Sequence, residues 1–64
     1  MRGTMNLNEW LRREQVSISA FARRCGVSRG SVYNWLNGKP PTLANAQRIA
    51  HETYGKVPVT VWGS

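Results

Sequence analysis

The chain has 64 residues, enough for one domain, and a domain this small buries only about 60% of its unfolded surface. Its single Cys excludes an internal disulfide framework and fits a reducing compartment, and no apolar run is long enough for a membrane span or a secretion signal. Nine Lys/Arg against three Asp/Glu give a net charge of +6, which calls for an anionic partner; one His, one Cys and three carboxylates without ligand or triad spacing leave no catalytic residue, metal or cofactor to expect.

Residues 1–5 read as a loose N-terminus, with Met5 as a candidate start and residues 1–4 as a candidate tag remnant. Residues 6–64 then form the single domain, with Gly63-Ser64 a candidate scar beyond which the natural chain runs on. Asn6 followed by Glu9 has the spacing of a capping box and opens a first helix over Leu7–Glu14. Leu7, Trp10 and Leu11 give that helix one apolar face.

Ser17 is the N-cap of a second helix ending at Cys25, with Phe21, Ala22 and Cys25 facing inward and Cys25 a small buried hydrophobe. Gly26 follows where a positive φ is needed, and Val27 turns into the core. Ser28 caps a third helix, Arg29–Leu36, which ends at Asn37-Gly38 before an extended Lys39-Pro40-Pro41 link. Thr42 caps a fourth helix, Leu43–Tyr54, whose apolar positions are Leu43, Ala46, Ile49, Ala50 and Thr53 or Tyr54, with Gly55 closing it and His51 exposed. In the tail, Val57, Val59 and Val61 alternate with other residues before Trp62. Period two predicts an extended or strand segment, which Pro58 confines to an edge.

The segment Ser17–Gly38 meets a set of spacing demands together. Ala22 is small where a second helix must cross, and Gly26 stands four residues on at the turn. Val27, Val32 and Trp35 or Leu36 form the inner face of the third helix. Two serine caps, matched helix lengths and a basic balance complete the pattern of a helix-turn-helix, whose second helix enters the major groove of DNA.

This segment resembles the helix-turn-helix of the Cro/C1 repressor superfamily of phage repressors and small bacterial regulators, and the similarity runs from about Leu7 to Gly55. Gly38-Lys39-Pro40-Pro41, Ala46-Gln47-Arg48-Ile49 and Tyr54-Gly55-Lys56-Val57 are similar to small Cro-like and YdaS-like phage proteins. The resemblance implies a mainly α fold: a four-helix, repressor-like domain with a short C-terminal extended or strand segment where larger repressors carry a fifth helix. It implies a cytoplasmic, sequence-specific regulator of double-stranded DNA, a repressor of phage or prophage origin. Ile18 departs from the pattern, because the family often has Gln there for a phosphate contact or to brace a recognition residue.

By the same resemblance, Arg29, Gly30, Tyr33 and Asn34 face base edges. Arg suits guanine O6/N7 and Asn suits adenine N6/N7, while Gly30 removes bulk and Tyr33 reaches a thymine methyl or a phosphate. Ser17, Ser19, Arg24, Ser28, Ser31, Asn37 and Lys39 are the expected contacts to the DNA backbone. Arg23 belongs to the solvated outer face of the second helix, and Arg12, Arg13, Arg48 and Lys56 to general surface charge. A homodimer on a palindromic operator is expected, paired through Val57, Val59, Val61 and Trp62; the alternative, that this segment packs on its own domain, stays open. A second functional reading is an antitoxin or protein-interaction module that also binds DNA.

Overall fold

Four short polar side chains set the four helix starts. Asn6 Oδ1 accepts the Glu9 N–H at 2.8 Å, Ser17 Oγ that of Ala20 at 3.1 Å, Ser28 Oγ that of Ser31 at 3.3 Å and Thr42 Oγ1 that of Asn45 at 3.2 Å. Each satisfies a donor that the first turn leaves without a partner. The computed structural model describes residues 5–62 and contains α1 (Leu7–Glu14), α2 (Ile18–Cys25), α3 (Arg29–Leu36), α4 (Leu43–Glu52) and a 3₁₀ turn at Val59–Val61. The loose segment read over residues 1–5 lies mostly outside this range; Met5 itself donates its N–H to the Lys56 carbonyl at 2.9 Å.

The apolar faces converge on one core. Leu7, Trp10 and Leu11 come from α1, Phe21, Ala22 and Cys25 from α2, Val32 and Trp35 from α3, Ile49 from α4, and Val57 from the tail. Trp10 and Phe21 pack with ring centroids 5.7 Å apart at a 53° tilt. α2 packs against both α3 and α4, while α1 closes over α3. Gly26 makes the bend between α2 and α3 at φ +74°, where its N–H reaches the Ala22 and Arg23 carbonyls. Of the two alternatives for the inner face of α3, Trp35 is buried and Leu36 only partly so.

Three expectations are corrected. α4 stops at Glu52, two residues before Tyr54. Thr53 is wholly buried, and its Oγ1 donates to the Ile49 carbonyl at 2.8 Å and accepts the Val57 N–H at 3.1 Å. That hydroxyl turns the chain out of the helix, and Tyr54 enters the left-handed region at φ +57° with 87% of its surface exposed. Leu43, read as an apolar core position, is 68% exposed in the first turn of α4.

The third correction concerns the tail, which is not a strand. Among the described residues there is no other strand to pair with, and Pro58 has no N–H to offer a ladder. The segment satisfies its backbone groups within itself: Val61 N–H reaches the Pro58 carbonyl at 3.0 Å and Trp62 N–H the Val59 carbonyl at 3.2 Å. Val57 is fully buried, and Val61 and Trp62 pack against the core.

Candidate nucleic-acid interface

With Val32 and Trp35 committed to the core, helical geometry turns the opposite side of α3 outward. Arg29, Gly30, Tyr33 and Asn34 are all exposed, Tyr33 by 52%. The four expected base-contact residues are thus exposed together on the side of α3 away from the core. Gly30 has a negative φ and open surroundings: a Cβ there would meet only Ser28 Oγ, at 3.7 Å. The fold therefore has room for a side chain at this position.

The expected backbone contacts flank this surface. Ser28 and Ser31 stand at the start of α3 with their Oγ atoms 3.3 Å apart, Ser28 exposed and Ser31 half-buried. Ser17 and Ser19, both exposed, stand at the start of α2. Asn37 and Lys39 are exposed beyond the far end of α3, where the Asn37 and Lys39 N–H groups both reach the Asn34 carbonyl. Gly38, at φ +98°, makes this turn possible. Ile18 is half-buried against the core, so its side chain serves packing.

Arg48 does more than carry surface charge. Its Nη2 donates to the Arg24 carbonyl at 2.8 Å, and its Nε lies 3.2 Å from Glu52 Oε2. It therefore ties α4 to the C-terminal end of α2, a role with no signature in the sequence because its partner is a backbone atom of another helix. The Arg24 carbonyl and the Arg48 guanidinium sit together at this junction. Cys25 is buried close by, and its thiol is pushed up to about 11, first by desolvation and then by the Glu52 carboxylate, against the lowering pull of Arg48 and Arg24. It is a neutral thiol at physiological pH, inert as a nucleophile.

Charge is distributed unevenly. The three carboxylates are Glu9, Glu14 and Glu52, so residues 15–51 contain no acid at all, while Arg23, Arg24, Arg29, Lys39 and Arg48 fall among them. A positive field over the α2–α3 surface attracts a polyanion, and the exposed Arg and Asn offer the donor and acceptor geometry that base edges require. Among the described residues no group of three or more His, Cys, Asp or Glu comes together, and no helix is long and apolar enough to cross a membrane.

A family model described as helix-turn-helix matches residues 9–53, from α1 to just past α4. Neither the comparison with curated proteins nor that with solved structures gave a match.

Proposed function

The chain belongs to the Cro/C1-type helix-turn-helix family of DNA-binding transcription regulators, and from that premise we propose that it is a phage or prophage repressor reading an operator with α3. The observation that carries the reading is the exposed, acid-free face of α3, with Arg29, Gly30, Tyr33 and Asn34 outward and Val32 and Trp35 anchoring it from behind. Arg29 addresses guanine and Asn34 adenine in the major groove, Tyr33 contacts a methyl or a phosphate, and Gly30 lets the backbone approach. Ser17, Ser19, Ser28, Ser31, Asn37 and Lys39 hold the flanking phosphates. Arg24, whose carbonyl joins α2 to α4, has the weakest support among the expected contacts. Repression needs only occupancy of a promoter.

A single reader of this size makes few base contacts, and two copies on a palindrome supply the missing affinity and specificity. The proposed homodimer uses the part-exposed Val59, Val61 and Trp62 in side-by-side packing, since Val57 is committed to its own core. Selection of bound sequences from random duplex DNA tests the function. The expected result is a pool enriched in one short motif repeated in inverted orientation. A pool without sequence enrichment would refute an operator-reading repressor.

A further inference from the structure

On sequence grounds Arg24 is an expected backbone contact and Arg23 belongs to the solvated face of the second helix; the structure turns the two residues toward different neighbours. Arg24 lies toward α4, where its carbonyl accepts a bond from Arg48 and its charge acts on the buried Cys25. Arg23 lies toward α3 and lines a shallow hollow at the α2–α3 corner together with Ser19, Ala22, Val27 and Arg29. Ser19 and Arg23 are one helical turn apart, so their side chains share a stripe of α2. Ala22 is buried and Val27 half-buried, which gives the hollow an apolar floor, while Ser19, Arg23 and Arg29 are exposed around it.

No carboxylate lines this hollow. Among the described residues the one ion pair is Arg48–Glu52, on the α4 side, so both guanidiniums at the corner are without an acidic partner. Two like charges around one depression repel each other, and each guanidinium presents a fork of N–H donors matched to a tetrahedral oxyanion. From this we infer that Arg23, together with the Ser19 hydroxyl, holds a phosphodiester of the DNA backbone in the hollow. Arg29 borders both the hollow and the reading face, so a phosphate held there fixes the register from which Arg29 meets a base. Arg23 is thus a positioning residue. The inference rests on the reading of α3 proposed above, but its own signature is electrostatic and independent of sequence.

The test is a fluorescence-anisotropy titration of the full chain on a random-sequence duplex of about 20 bp over a salt series. Arg23→Gln is expected to reduce the slope of log K against log salt by about 0.9, the loss of one neutralised phosphate, and to weaken all sequences alike. Arg23→Lys restores most of the slope, which a merely structural role would not predict. Arg13→Gln, on the outer face of α1, removes the same charge as a control. The inference is overturned if Arg23→Gln changes the slope no more than Arg13→Gln, or if Arg24→Gln alone carries the loss. It is also overturned if inorganic phosphate binds the wild-type chain in a calorimeter, Arg23→Gln abolishes that binding, and the DNA slope is unchanged; the hollow is then a site for a free anion. If Arg23→Gln reduces the slope while Arg29→Ala and Asn34→Ala leave base preference intact, the phosphate contact stands and the reading of α3 falls.

Discussion

Gly30 is a residue of α3 that packing does not require. A Cβ there meets one atom, at an ordinary contact distance, and the backbone is helical. Glycine inside a helix nonetheless costs roughly 0.5–1 kcal/mol relative to alanine. We assign that cost to the proposed close approach of the helix to DNA. Gly30→Ala is therefore expected to raise the denaturation midpoint, by roughly 0.5–1 kcal/mol in stability, while weakening duplex binding. Greater stability with unchanged affinity would mean that nothing presses on this position.

Cys25 makes a second prediction at the same scale. Its folded pKa of about 11 lies above the ordinary value of 9.0, so the native state keeps its proton where the unfolded chain has begun to lose it. The contribution to stability is complete below pH 9.0 and is lost as pH rises toward about 11. Denaturant unfolding of wild type and Cys25→Ala across this range checks it: the difference between the two should shrink as pH rises. A difference that stays constant would place the thiol in a more polar setting than its burial implies.

At the scale of elements, most helix boundaries were legible because they rest on local chemistry. Asn6, Ser17, Ser28 and Thr42 are short polar residues before apolar periodicity, and all four act as caps. Gly26 and Gly38 mark turns that need positive φ. The misreadings came where local pattern competed with a contact made elsewhere. Alternating valines have a strand's period, but a strand needs a partner, and Val57, Val61 and Trp62 gain more by packing on the core. α4 ended early because the Thr53 hydroxyl captures both a helix carbonyl and the Val57 N–H, which helical periodicity does not encode. Thr53→Val tests this junction. It keeps the shape but leaves the buried Val57 N–H unpaired, at an expected cost of about 1–3 kcal/mol in chemical denaturation. A loss within a few tenths of a kcal/mol would show that the hydroxyl does not hold the tail. The outward residues of α3 were legible because Val32 and Trp35 fix its rotation. Arg48 was not, since it bonds a backbone carbonyl of another helix.

Across the whole molecule, the acid-free stretch from residue 15 to residue 51 places α3 inside a positive field, while the carboxylates sit on α1 and at the end of α4. On the proposed reading, that field brings the domain to any DNA, and discrimination comes from the α3 face and from two-fold repetition. Sedimentation of the chain with its selected duplex is expected to show two copies per palindrome, and one copy at saturation would rule out the proposed homodimer. The central claim, that the outer face of α3 reads bases, is tested most directly by measuring affinities for single-base variants of the selected duplex, using wild type, Arg29→Ala and Asn34→Ala. Each protein variant is expected to lose preference at its own base pair, with a cost of roughly 1–3 kcal/mol, and to keep preference elsewhere. Uniform weakening over all duplexes, or preference unchanged by either substitution, would contradict it.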